Sequence, residues 1–157
     1  MNSKRIFLVG LPASGKTTFA KKLSAQTGLK FIDLDAEITK MTDQPIRELL
    51  AKEGENYFRQ IEKEQLRQVT NEYSQFVLAT GGGTPCFFDN MDFMNENGVT
   101  IYINTSLDEI TQRLAGDSSR PLMKKFEPAE LLEKRRKWYE QAQHTVNNYQ
   151  QLGKLFD

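Results

Sequence analysis

Cysteine is almost absent from the 157-residue chain. Cys86 stands alone, so no internal disulfide can brace the fold, and without His or Cys at metal-ligand spacing it reads as a small, partly buried hydrophobe. An excess of positive charge is missing as well. Lys plus Arg and Asp plus Glu each total 21, which leaves no general attraction for a polyanion such as DNA or an acidic membrane surface, so basic residues have to act locally. Long apolar runs are lacking too: Ile6 to Val9, behind Lys4 and Arg5, is broken at Gly10. Such a run is too short for a signal sequence or a membrane span, and the expected location is the cytoplasm. No low-complexity tract, internal repeat or linker interrupts the chain, so residues 1 to 157 are expected to form one globular domain. A monomer with no nucleic-acid or membrane partner is expected.

What is present alternates between two periodicities. Ile6 to Val9, Leu29 to Ile32, Phe76 to Ala79 and Val99 to Ile103 are short apolar runs of strand type, with His144 to Asn147 a weak fifth. Helical segments lie between them. Lys16 to Gln26 is closed by Gly28; Gly54 to Tyr73 carries Phe58, Ile61, Leu66 and Val69 at helical spacing; Ser106 to Glu109 forms a capping box; and Pro128 starts a charged helix through Gln143. Strand and helix in alternation predict a three-layer α/β fold, a central parallel sheet of about five strands flanked by helices. Ligands of such sheets gather beyond the carboxyl ends of the strands. Residues 116 to 126 break the rhythm with a polar, Pro-containing stretch that reads as a lid.

Gly10-Leu11-Pro12-Ala13-Ser14-Gly15-Lys16-Thr17 fits the phosphate-loop pattern G-x-x-x-x-G-K-[ST], between a predicted strand and a predicted helix as that motif requires. Its backbone amides, Gly10, Ala13, Ser14 and Gly15 among them, with Thr18 following, can surround the phosphates of ATP. Lys16 can reach the β and γ oxygens and Thr17 can coordinate Mg²⁺. No guanine-reading N-K-x-D tetrad occurs, which leaves a small P-loop kinase as the preferred class. Asp33 and Asp35 leave the second strand two residues apart, and period two would point both carboxylates to one side if the extended backbone persists. One acid can then hold Mg²⁺ and the other deprotonate a hydroxyl; alternatively Asp35 is a helix cap. Gly81-Gly82-Gly83 after the third strand exposes bare backbone to a ligand or forms a plain turn. Arg59, with Glu62 at i+3, is either an exposed ion pair, which the spacing alone favours, or an arginine held ready for a substrate carboxylate.

These blocks, in this order, resemble the shikimate kinases over nearly the whole chain. The resemblance is carried by Gly15 to Thr18, Asp33-Leu34-Asp35, Gly54-Glu55 with Phe58-Arg59 and Glu62, Ala79 to Gly83, Arg120-Pro121-Leu122, and an arginine four residues before Tyr139. It implies transfer of the γ-phosphate of ATP to the 3-hydroxyl of shikimate, with Asp35, Arg59, Gly82 and Arg135 on the acid. Residues 33 to 62 would form the substrate-binding region. Asp33 would help hold Mg²⁺, Arg113 would lie against adenine, and Arg120 would belong to a catalytic lid. Ala13 stands where the family usually has glycine, and Arg136 beside Arg135 offers a second candidate for the acid. Two alternatives from the same residues are another small-metabolite kinase, such as a gluconate kinase, and a non-catalytic nucleotide-switched module.

Overall fold

The computed structural model describes residues 4–116 and 127–157. Most of the predicted lid, with Arg120, therefore lies outside the described residues. Five parallel strands form one sheet in the order β2-β3-β1-β4-β5, with β1 at Arg5–Val9, β2 at Phe31–Asp33, β3 at Phe76–Ala79, β4 at Val99–Ile103 and β5 at His144–Val146. Ile6 pairs with Val77 on one side and Val99 on the other. The chain leaves β1 outward to β2, returns through β3 and then crosses to β4. The strand order thus reverses around β1, and in open α/β sheets the carboxyl edge at such a reversal is where ligands bind.

The unbroken apolar runs follow from burial on both faces. Alternate residues serve two cores. Phe7, Val9, Phe76 and Leu78 pack with Leu66, Tyr102 and Tyr139 on one face. Ile6, Leu8, Val77 and Ala79 pack with Ala20, Leu23 and Leu152 on the other. The helices are α1 (Lys16–Thr27), α2 (Leu34–Thr42), α3 (Ile46–Glu53), α4 (Glu55–Glu72), α5 (Asn90–Asn97), α6 (Leu107–Ala115), α7 (Pro128–Tyr139) and α8 (Tyr149–Lys154), with a 3-10 turn at Thr84–Cys86. No helix among the described residues is long and apolar enough to cross a membrane.

Local signals account for the helix ends. Ser106 Oγ accepts the Glu109 N–H at 3.2 Å, as the capping box requires. The Gly28 N–H closes α1 on the Ser24 carbonyl at 2.8 Å. Three expectations need correction. The second strand starts two residues later than read, at Phe31. Helix α7 stops at Tyr139 rather than Gln143, because Gln141 and Ala142 turn back onto the Trp138 and Tyr139 carbonyls to lead into β5. Helix α5, which carries no strong periodicity, has no counterpart among the predicted segments.

Six-residue α8 is too short to persist alone and is fastened to α1. Gln26 Nε2 donates to the Gly153 carbonyl at 2.9 Å and to Asp157 Oδ1 at 3.1 Å, Gln26 Oε1 accepts from Tyr149 Oη at 2.8 Å, and Tyr149 meets Phe19 edge-on at 5.8 Å. Gln26→Ala is expected to lower stability by about 0.5–1.5 kcal/mol in urea unfolding, with faster hydrogen exchange at 149–157 and unchanged exchange in β1 and β3.

Candidate active site

At the exit of β1 the chain wraps into a closed loop. Gly15 at φ 101° caps α1, and Ala13 at φ 65° takes the left-handed conformation that costs a side-chain-bearing residue roughly 1–2 kcal/mol. Hydrogen bonds hold it there. Arg113 Nη1 donates to the Ala13 carbonyl at 2.9 Å, buried Thr105 Oγ1 donates to the Ser14 carbonyl at 2.6 Å, and the Ser14 N–H reaches the Leu11 carbonyl at 3.2 Å. Lys16, almost fully buried, donates its Nζ to the carbonyls of Gly10 and Leu11 at 2.7 and 2.8 Å, so the ammonium is folded back over the loop it serves. Ser14 Oγ is buried with no hydrogen-bond partner among the described residues. Thr17 and Thr18 stand exposed on the first turn of α1. Loop amides, a helix N-terminus and a lysine can together receive a polyphosphate.

The two aspartates do not share an extended backbone. The strand ends at Asp33, which caps α2 by accepting the Ala36 N–H at 3.4 Å, and Asp35 already sits in the helix's first turn. The same-side geometry expected from period two therefore fails, and it is Asp33, not Asp35, that caps the helix. The carboxylates are nonetheless electrostatic neighbours. Burial, then Glu62, then Asp33 push the Asp35 carboxyl up to about 6, against the smaller opposing pull of Lys16 and Arg59. A half-buried acid near neutrality, with a lysine and an arginine in reach, can take up a proton from a hydroxyl.

Gly81, Gly82 and Gly83 gather the remaining groups. A Cβ on Gly81 would lie 3.1 Å from both Asp35 Oδ1 and Glu62 Oε2; on Gly82, 2.7 Å from Pro12 Cδ and 3.0 Å from Arg135 Nη1; on Gly83, 2.5 Å from Arg59 Nη2. Three positions without side chains thus let an acid pair, the phosphate loop and two arginines close on one strand exit. Arg59 and Glu62 are not the exposed pair that spacing favoured. Glu62 is 0% exposed and accepts Arg59 Nη1 at 2.8 Å, while the guanidinium lies 4.2 Å from the ring centre of Phe87 and 5.0 Å from that of Phe58. Arg59 Nε is buried with no hydrogen bond, its nearest acid being Glu55 at 3.7 Å.

Of the adjacent arginines on α7, Arg135 is half-buried against Gly82, whereas Arg136 is exposed, its nearest acid Glu133 at 4.0 Å. Tyr139, fully buried, ties α7 to the glycine run by donating its Oη to the Gly82 carbonyl at 2.6 Å, and it stacks on Tyr102. Cys86 is half-buried beside these groups, its thiol pushed up to about 11 mainly by burial. Asn147 and Asn148 serve the start of α8: the Asn147 N–H donates to Gln151 Oε1, and Asn148 Oδ1 accepts the Gln151 N–H. Of the described residues singled out from the sequence, Asp35, Arg59 and Arg135 meet at Gly81 to Gly83 with Pro12 of the phosphate loop beside them, while Arg136 is exposed and Arg120 lies outside the described residues. Thr84, Phe87 and Thr105 were missed, since a threonine or phenylalanine in a loop carries no spacing signal before its partners are known.

A cradle for polyphosphate and, beside it, an acid and two arginines gathered on one glycine run serve one chemistry, the passing of a phosphoryl group to a hydroxyl. Fold and site together define a P-loop phosphotransferase. The family model described as shikimate kinase matches residues 12–155. A shikimate kinase of Parabacteroides distasonis is 41% identical over 152 residues, covering 92% of this chain and 87% of that one. Among solved structures, a shikimate kinase from Bacteroides thetaiotaomicron has a TM-score of 0.90 at 35% identity, with 98% of each chain covered. One from Acinetobacter baumannii, solved in complex with shikimate, has a TM-score of 0.87 at 32% identity over 98% of this chain and 90% of that one. The chain belongs to the shikimate kinase family.

The raised proton affinity of Asp35 has a thermodynamic consequence. The native protein holds this proton more tightly than the unfolded chain does, so ionising the group costs the native state, and its contribution to stability falls as pH rises from about 4 to about 6. Asp35→Asn removes that cost. Thermal unfolding at pH 7.5 is expected to show the variant more stable by about 1–2 kcal/mol, with the difference vanishing below about pH 4.

Proposed function

We propose that this chain transfers the γ-phosphoryl group of ATP directly to the 3-hydroxyl of shikimate, with Asp35 receiving the hydroxyl proton. The family is one of ATP-dependent phosphotransferases acting on a hydroxyl of shikimate. What carries the residue assignment is the convergence of Asp35, Arg59 and Arg135 on Gly81 to Gly83, beside the phosphate loop.

In this reading the amides of Gly10, Ala13, Ser14 and Gly15 and the side chains of Thr17 and Thr18 surround the polyphosphate. Lys16 exchanges its two loop carbonyls for the β and γ oxygens. Arg113, half-exposed over the loop, faces the nucleotide base. The hydroxyl of Thr17 and the carboxylate of Asp33 are hard oxygen donors of the kind Mg²⁺ takes one or two of, keeping water and phosphate for the rest. Bound there, the ion would neutralise charge between the β and γ phosphates.

On the acid side, Arg59 has Nη1 committed to Glu62 and Nε buried near Glu55, which leaves Nη2, beside Gly83, to meet the substrate carboxylate, Arg135 approaching from α7. Asp35 then orients the hydroxyl. As its oxygen bonds to the γ-phosphorus, the bond to the β–γ bridging oxygen breaks, the hydroxyl proton passes to Asp35, and ADP leaves with that oxygen. The products are shikimate 3-phosphate and ADP. We read the protein as a monomer working in the cytoplasm.

An ADP-release assay with shikimate, gluconate and nucleoside monophosphates as acceptors tests the assignment. Turnover is expected with shikimate, and preference for another acceptor would overturn it. Asp35→Asn should lower turnover by about a hundred- to ten-thousand-fold. For the unaltered protein, kcat/KM should fall tenfold per pH unit below about 6, where Asp35 is protonated.

The two arginines of α7 provide a separate check. Arg135→Ala is expected to raise the KM for shikimate by about tenfold or more while the KM for ATP changes little. Arg136→Ala removes an exposed side chain whose one ion pair among the described residues is long, and should leave both within about twofold. Reversal of these two outcomes would move the acid contact to Arg136.

A further inference from the structure

Thr84 lies one residue beyond the glycine run and takes no part in the transfer step. Its side chain is completely buried, and its hydroxyl bridges two elements. The oxygen accepts the Gly81 N–H at 2.9 Å, and the proton goes to Glu62 Oε2 at 2.8 Å. The polarity of this bridge is fixed, because an amide can only donate, a carboxylate only accept, and a hydroxyl has one proton to give. Glu62 Oε1, in turn, holds Arg59. One hydroxyl therefore connects the amide beside Asp35 to the carboxylate that aims the arginine.

The backbone of Thr84 is held just as firmly. Its N–H closes a turn on the Gly81 carbonyl at 3.2 Å. Its carbonyl accepts from Nδ2 of Asn90, fully buried at the start of α5, at 2.9 Å. Arg67 of α4 then spans Asn90 Oδ1 at 2.9 Å and Asp89 at 2.6 Å. The phosphate loop has separate ties of its own, through Thr105 and Arg113.

We propose that Thr84 is a positioning residue for the acid-binding half of the site, setting the Glu62 carboxylate that orients the Arg59 guanidinium toward the substrate, and fixing the Gly81 amide beside Asp35 through the same hydroxyl. The proposal rests on the phosphotransferase reading above. Without the hydroxyl, Glu62 Oε2 and the Gly81 N–H both lose their partner, and the Glu62 carboxylate is held by Arg59 alone among its described hydrogen bonds. The Glu62 charge already opposes ionisation of Asp35.

Steady-state kinetics with shikimate and ATP varied separately test this in the full chain. Thr84→Val keeps the shape of the side chain and should raise the KM for shikimate by about ten- to a hundredfold, the range for a lost hydrogen bond to a charged group. The KM for ATP should stay within about twofold. Thr84→Ser, with the same donor and acceptor, should restore the shikimate KM to within about threefold of the unaltered protein. Asn90→Ala, which loosens Thr84 from behind, should raise it by about threefold or more and carries the test if Thr84→Val does not fold. An unchanged shikimate KM, a parallel rise in both KM values, or no rescue by serine overturns the positioning role even where the unaltered protein turns over shikimate. An unaltered protein that does not turn over shikimate overturns the function reading together with this one.

Discussion

A carboxylate withdrawn from water must have its charge answered, and in this protein the group so placed is Glu62. Arg59 answers one oxygen and Thr84 the other. Because these partners sit on α4 and on the loop leaving β3, satisfying one buried charge fixes the distance between helix and sheet edge. The glycine run then has no freedom to drift: Gly81 is tied to Thr84, and Gly83 leaves no room beside the Arg59 guanidinium. Tyr139 clasps Gly82 from the opposite side and brings Arg135 with it. The half of the site proposed to bind the acid is thus assembled around one desolvated charge.

Asp35 is the counterpart of that arrangement. Three influences raise its proton affinity, and the most important is burial itself. A carboxylate made costly to ionise is a poor contributor to stability but a better proton acceptor near neutral pH. Lys16 and Arg59 moderate the effect and keep the group within reach of ionisation. The phosphate loop shows the same exchange of local comfort for function. Ala13 holds a left-handed backbone that an alanine adopts only at a cost, and bonds from Arg113 to its own carbonyl and from Thr105 to that of Ser14 keep it there.

The overall charge balance fits this local use of cations. With 21 basic and 21 acidic residues there is no broad field, yet Lys16, Arg59 and Arg135 converge on a small volume. Two of them are tied by protein acceptors, Lys16 by loop carbonyls and Arg59 by Glu62. The orientation of Arg59 is thereby set before any anion arrives, which reduces the ordering cost of binding, whereas Lys16 gives up its loop carbonyls to reach one.

How much of this was legible beforehand differs by kind of signal. The phosphate loop, the alternation of apolar runs and helices, the boundaries of β3 and β4 and the capping box at Ser106 depend on neighbours within a few residues, and contiguous sequence carries such information. So does the presence of Asp33, Asp35, Arg59 and the glycine run at strand exits. Backbone direction at Asp35 was misread because α2 begins one residue earlier than an extended strand end would allow, and the α2·α4 packing that supports this helix is invisible in a local window. Arg59 with Glu62 at i+3 could equally have been a solvent-facing pair; burial by Phe58, Phe87 and the glycine loop decided otherwise. Likewise the half-burial of Arg135 against Gly82 while Arg136 stays exposed, the bridging by Thr84 and the fastening of the phosphate loop by Thr105 each depend on partners tens of residues away. By itself the sequence determined the fold class, the phosphate-binding chemistry and the inventory of charged groups, since these rest on local spacing and side-chain type. Only the tertiary structure decided which of those groups are desolvated and which atoms they face, because burial and long-range hydrogen bonding exist only after the chain has closed on itself.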